Sequence, residues 1–228
     1  MRNFSFVEPT FQAREHPLEI SQTIYDANVF DVKNWKNGFR TNPDMLPDSV
    51  IKFLSLLGDL DVDYCIVGGI AYLAYIQDRN TKDLDILISV KELNKLLPFV
   101  EVGSQDADFA NAMFEGLKID FLKTSNNLFK YVKKNQTIKF EFVEGTFPIA
   151  TVEGLILMRF DAIIDLYQKG NFNKVLRYES DLQFLTINYD IDWENIFAVA
   201  EEFFTKGQIR EFKKMVADWQ KPRRNPFA

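Results

Sequence analysis

The chain is poor in the residues on which much hydrolytic and metal chemistry depends. It has one histidine, His16, within "REHP", and one cysteine, Cys65, within the apolar run "YCIVGG". That supply argues against a serine–histidine triad, a His-ligated metal or a Cys-based zinc site, and a single cysteine forms no intrachain disulfide. Cys65 reads instead as a small buried hydrophobe. Positive charge is also short, with 27 Lys and Arg against 33 Asp and Glu, a net charge of −6 and a pI near 5.0. A whole-chain basic footprint for nucleic acid is therefore missing. Lys213, Lys214, Lys221, Arg223 and Arg224 make a local basic stretch near the C-terminus, which reads as a solvated tail. No segment approaches the roughly 18 apolar residues of a membrane span, and "MRNFSFVEPTFQAREHPLEI" lacks the apolar core of a signal peptide. The expectation is a cytoplasmic protein with no membrane partner.

What is present is enough for a sizeable core: 228 residues, 46% hydrophobic and 26% charged, with 22 phenylalanines spread along the chain. Residues 1–47 read as an irregular extension packed on the main domain, because "HPLE", "KNGF" and "TNPDMLP" are turn chemistry. A helix is expected from Asp48 or Ser49, with Gly58 placed to end it. "YCIV" reads as a short buried strand, "IAYLAYIQ" as a helix and "DLDILISV" as the next strand. "KELNKLLPFV" reads as a helix, "EVGSQDAD" as a polar loop, and Leu117–Leu122 and "TIKFEFVEG" as strands. From Thr151 the texture becomes helical. One helix stops at Gly170, a second covers "NKVLRYESDLQFL", a third starts at an Asp192 cap and runs to Gly207, and "QIREFKKMVADWQ" closes the series. The expected fold class is α/β: a mixed sheet core over 48–150 flanked by helices, followed by a helical region over 151–228.

The chemistry lies in "IVGGIAYLAYIQDRNTKDLDILI". Side chains alternate faces along a strand, so Asp83 and Asp85 point one way while Leu84, Ile86 and Ile88 point into the core. If the approach is also extended, R-x-T-x-D-x-D lines up Arg79, Thr81 and both carboxylates. Paired carboxylates repel unless a cation or proton sits between them, and Mg²⁺ takes such oxygens while leaving other positions for water and phosphate. Asp120, between Ile119 and Phe121, is the candidate third carboxylate and proton acceptor. Glu141 competes for that place but falls on the face opposite Phe140 and Phe142, where solvent accounts for it. Gly68-Gly69, between strand and helix, can offer backbone N–H groups to a phosphate, with Arg79 completing an anion cradle.

"IVGGIAYLAY…RNTKDLDILI" together with "KIDFL" resembles the nucleotidyltransferase superfamily to which DNA polymerase β belongs. Its pattern is a Gly-Gly or Gly-Ser turn, a D-x-D pair and a later strand Asp. Within it, the chain looks most like the AbiEii-type branch, which includes nucleotidyltransferase toxins. "ATVEGLILMRFDAIIDL" followed by "RYESDLQFL" is similar to the helical region of that branch, with Arg159 and Asp181 at its basic and acidic places. The resemblance covers about residues 60–190. It implies that Asp83, Asp85 and Asp120 hold Mg²⁺, or Mn²⁺ in its stead, as the catalytic group. It implies further that Gly68, Gly69, Arg79 and Thr81 face a nucleoside triphosphate, and that Arg159, where a lysine is more usual, contacts phosphate; the alternative for Arg159 is an ordinary salt bridge to Asp181 or a neighbouring acid. The implied reaction moves a nucleoside monophosphate to an acceptor hydroxyl, on an RNA or tRNA end or a small molecule, with a cognate antitoxin as an implied partner. A catalytically silent nucleotide- or protein-binding member of the same fold is the alternative.

Overall fold

The computed structural model describes residues 17–37, 42–76 and 80–221. His16, Arg79, Arg223 and Arg224 lie outside the described residues. The chain divides between Leu155 and Ile156 into two compact units.

The first unit is built on a seven-stranded mixed sheet. Its strands are β1 (Tyr64–Val67), β2 (Asp83–Ile88), β3 (Glu101–Gln105), β4 (Phe109–Phe114), β5 (Leu117–Lys123), β6 (Thr137–Phe142) and β7 (Gly145–Ala150), in spatial order β3-β4-β5-β2-β1-β7-β6. β2 pairs antiparallel with β1 and parallel with β5, while β1 pairs parallel with β7. The centre of the sheet is apolar: Ile66, Val67, Leu84, Ile86, Leu87, Ile88 and Ile119 are fully buried, as expected for strands covered on both sides. The expected mixed α/β class is what the structure has.

The helices of this unit are α1 (Ile20–Val29), α2 (Val32–Asn37), α3 (Leu46–Asp59), α4 (Gly68–Leu73), α5 (Val90–Leu96) and α6 (Asn127–Asn135). α3 buries Leu46, Val50, Phe53, Leu54 and Leu57, a stripe at helical spacing, and Phe53 packs on Phe114 of β4 with centroids 5.3 Å apart. Gly58 lies inside α3, which ends one residue later. α1 corrects the irregular reading of residues 1–47. Ile20, Ile24 and Ala27 are buried at i, i+4 and i+7, and the Glu144 carboxylate accepts from the backbone N–H groups of Ile20 and Ser21 at 3.1 and 2.7 Å, capping the helix from the β6–β7 turn.

"EVGSQDAD" is also corrected. Its first five residues are β3, an edge strand exposed at every position. With neither face buried, it carries no apolar alternation, and backbone pairing to β4 is what holds it. α6 and β7 are likewise elements that the sequence pattern did not resolve.

The second unit holds most of α7 (Val152–Gln168), then α8 (Phe172–Asn188), α9 (Trp193–Ala200) and α10 (Lys206–Trp219). Its centre is Phe160, stacked on Phe212 at 3.9 Å between centroids. The Asp192 cap is present, but the helix it starts stops at Ala200 rather than running to Gly207. Thr205 and Gln208 form a reciprocal capping box that starts α10 at Lys206. Gly207 is thus in a first turn, where a helix opening outweighs its tendency to close one. No helix among the described residues is long and apolar enough to cross a membrane.

Two measurements test these features. Thr205→Ala should lower the stability of the folded protein by about 1 kcal/mol in urea unfolding, because α10 loses its cap; a helix running through to Gly207 would feel no such loss. Burial pushes the Cys65 thiol from 9.0 up to about 12, against a weaker opposing pull from the Thr137 hydroxyl, and burial pushes neighbouring Tyr64 from 10.0 to about 12. Both groups are held neutral in the fold, so the unfolded chain loses their protons first. Stability should therefore fall as pH rises from about 9 toward 12, and Cys65→Ala should reduce the steepness of that fall.

Candidate active site

The site forms where the N-terminal end of β2 meets the C-terminal end of β1. Val67, the last residue of β1, stands opposite Asp85. On the other side, the parallel register of β2 with β5 sets Asp83 opposite Lys118 and Asp85 opposite Asp120. Cross-strand partners share a face, so Asp83, Asp85, Lys118 and Asp120 form one patch on the sheet. The next strand extends it, with Asn111 of β4 opposite Asp120. Asn111 is itself fixed by β3, donating to Ser104 Oγ at 2.6 Å and accepting from the Ser104 N–H at 3.0 Å.

Lys118 is the functional candidate that sequence reasoning missed. Its ammonium donates to Asp83 Oδ2 at 3.0 Å and to Asp120 Oδ2 at 2.5 Å, so one cation joins acids from two strands. Partial burial acts to lower its proton affinity, but the hydrogen bond to Asp120 and the charge of Asp83 outweigh that and hold it above the ordinary lysine range. The signal was available: in "LKIDFL" the period-two rule that aligns Asp83 with Asp85 also aligns Lys118 with Asp120.

The glycine turn has a packing reason the sequence could not reveal. Gly68 has φ +59°, and a Cβ there would lie 1.8 Å from Asp85 Oδ2. At Gly69 a Cβ would lie 2.3 Å from Thr81 Cβ and Oγ1. The absent side chains therefore make room for the Asp85 carboxylate and for the buried Thr81, whose hydroxyl donates toward Asp83 Oδ1 at 3.2 Å. The turn and the acid strand are fitted to one another.

The donor set suits a hard divalent cation, since the acids offer only carboxylate oxygens. Asp83 and Asp120 already converge on a single positive centre, which here is the Lys118 ammonium. Among the described residues no three acidic, histidine or cysteine side chains stand close enough together to hold a metal ion in this arrangement. Their fit is one of donor type and of two carboxylates aimed at one cation.

Arg159 lies in the second unit, 8% exposed. Its Nη2 donates to Asp181 Oδ2 at 3.0 Å, and its guanidinium sits 3.6 Å above the ring centre of Tyr178. It is engaged on α8 by a carboxylate and an aromatic face. Glu141 is exposed on the edge strand β6.

No protein-family model matches the chain, and no curated protein matches it in sequence. Solved structures that are similar include a nucleotidyltransferase-like antigenic protein from Paracoccidioides brasiliensis, at 12% identity and TM-score 0.45 over 89% of this chain and 95% of that one. Another is a Thermotoga maritima protein assigned as a candidate nucleotidyltransferase, at 12% identity and TM-score 0.39 over 62% and 96%. A third is ANT(2")-Ia in complex with adenylyl-2"-tobramycin, at 10% identity and TM-score 0.40 over 75% and 94%. These likenesses are distant.

The glycine–acid fit is open to a double-mutant cycle. Gly68→Ala alone should cost at least about 1–3 kcal/mol in denaturant unfolding through backbone strain, with the clash against Asp85 added. In an Asp85→Ala background the same substitution should cost less, giving a coupling of about 0.5–3 kcal/mol. Equal costs in both backgrounds would break the proposed contact.

Proposed function

We propose that this chain is a Mg²⁺-dependent nucleotidyltransferase that moves a nucleoside monophosphate from a nucleoside triphosphate to an acceptor hydroxyl. The observation that carries the reading is the register of β2 against β5, which sets three carboxylates on one sheet face beside the glycine turn, two of them on a common cation. The sequence resemblance to the AbiEii-type branch supports the same reaction.

By the resemblance, Asp83, Asp85 and Asp120 would hold the metal, Mg²⁺ or Mn²⁺, and because the three carboxylates do not stand close enough together for this in the present arrangement, they would have to draw together around it. When bound, the ion supplies positive charge to the triphosphate and the departing pyrophosphate. The acceptor oxygen bonds to the α-phosphorus, the bond from that phosphorus to the bridging oxygen of the β-phosphate breaks, and pyrophosphate leaves with the electron pair. Asp120 takes the acceptor's proton. Gly68, Gly69 and Thr81 shape the wall against which the phosphates lie, and Arg79, outside the described residues, supplies a guanidinium by the same resemblance. The resemblance also gives Arg159 to a phosphate; in its own unit the guanidinium is held by Asp181 and the ring of Tyr178.

The acceptor is an RNA or tRNA end or a small molecule, and in the AbiEii-type reading the chain acts as the toxin of a pair with an antitoxin partner. The net charge of −6 favours a small acceptor or a confined contact with RNA. A steep loss of RNA affinity with added salt would identify many phosphate contacts and an RNA acceptor. A second reading, a silent protein that binds nucleotide without turnover, is favoured by one observation: Lys118 already neutralises the acids in place of a metal.

Incubation with each labelled NTP, Mg²⁺ and either total RNA or a metabolite pool tests transfer. Label should enter an acceptor with the wild-type chain and fall to background with Asp83→Asn/Asp85→Asn. Nucleotide binding without incorporation from any NTP would sink the enzyme reading and leave the silent one.

A further inference from the structure

Lys118 and a divalent cation require the same oxygens. The ammonium is held by Oδ2 of Asp83, across the strand pair, and by Oδ2 of Asp120, two residues along its own strand. An ion ligated by Asp83 and Asp120 would face a like charge at hydrogen-bonding distance from its own ligands, which disfavours both cations being there together. The lysine has a way out. Its side chain is 47% exposed, and its flexible four-carbon stem lets the ammonium swing toward water. The carboxylates are more enclosed, at 30% and 31%, and are anchored in the two central strands.

We propose that Lys118 is an internal counterion that competes with the divalent metal for Asp83 and Asp120, so that metal enters only as the Lys118 ammonium leaves. The inference rests on the metal-site part of the function proposed above. In the metal-free protein the lysine holds acids of neighbouring strands together where they would otherwise repel. It also sets a threshold on metal uptake, since every binding event must displace a cation already in place. Lys118 acts through the acids and is a positioning residue.

The test is a Mn²⁺ titration of the full chain without nucleotide, reading free Mn²⁺ by electron paramagnetic resonance, for wild type, Lys118→Met and Lys118→Gln. Removing the competitor should tighten Mn²⁺ binding by about 5- to 150-fold, the range of a typical coupling between two sites. Adding Asp120→Asn to Lys118→Met should cancel the gain. In EDTA the Lys118 variants should melt below wild type, and Mn²⁺ should raise their Tm by more than it raises that of wild type. Unchanged or weaker Mn²⁺ binding in a folded Lys118 variant overturns the competition and leaves the metal site standing. No Mn²⁺ binding by wild type or variants overturns the metal site and the competition together. Should neither variant fold, the wild-type chain carries the test alone: the ¹⁵Nζ resonance of Lys118 should move toward that of a solvated lysine as Mg²⁺ is added, and a resonance that stays put at saturating Mg²⁺ overturns the proposal.

Discussion

Everything at this site depends on the parallel pairing of β2 with β5. Because side chains alternate along both strands, the register that sets Asp85 opposite Asp120 also sets Asp83 opposite Lys118, and a slip of one residue would turn one strand's charges into the core. Fully buried Leu84, Ile86, Ile119 and Phe121 on the opposite face forbid that slip. The hydrophobic core thus fixes the alignment of the charged face, and burying one set of residues places the other.

The same economy governs the turn that follows β1. A glycine pair in such a position suggests an approach for phosphate, yet its immediate occupants are the chain's own Asp85 and Thr81. The left-handed backbone at Gly68 carries β1 into α4 without a side chain that would strike the carboxylate of the neighbouring strand. Turn, acid and hydroxyl are one packed unit, and Lys118 is its fourth member by charge. The acids can sit together because the sheet brings its own cation to them, which makes the site self-consistent before any ligand arrives.

Legibility in the sequence followed burial. β5 and α3 were readable because each hides one face and shows another, and β2 because its acid end alternates before Ile86, Leu87 and Ile88 run fully buried. β3 was unreadable because it hides neither face, and the partner strand that holds it lies outside any local window. α1 was obscured by surrounding turn residues although Ile20, Ile24 and Ala27 have helical spacing. The break between α9 and α10 turned on whether Thr205 caps a helix or Gly207 ends one, a competition decided by the Gln208 side chain closing the box. Lys118 differs from these, because its alternation with Asp120 is local and visible, while its pairing with Asp83 depends on the neighbouring strand.

The sequence by itself determined the alternation of Asp83 and Asp85, the presence of Asp120 within an apolar strand, the glycine turn and the mixed α/β class, because each follows from local periodicity and backbone chemistry. The resemblance, rather than periodicity, marked Arg159 and Asp181 as a basic and an acidic place on successive helices. Only the tertiary structure decided that β5 lies parallel beside β2, that Asp120 therefore stands opposite Asp85, that Gly68 and Gly69 give space to Asp85 and Thr81, and that the cation between the acids is a lysine. Those facts join residues well separated along the chain, most of all those of β2 and β5, and local periodicity contains no information about which segments the core will draw together.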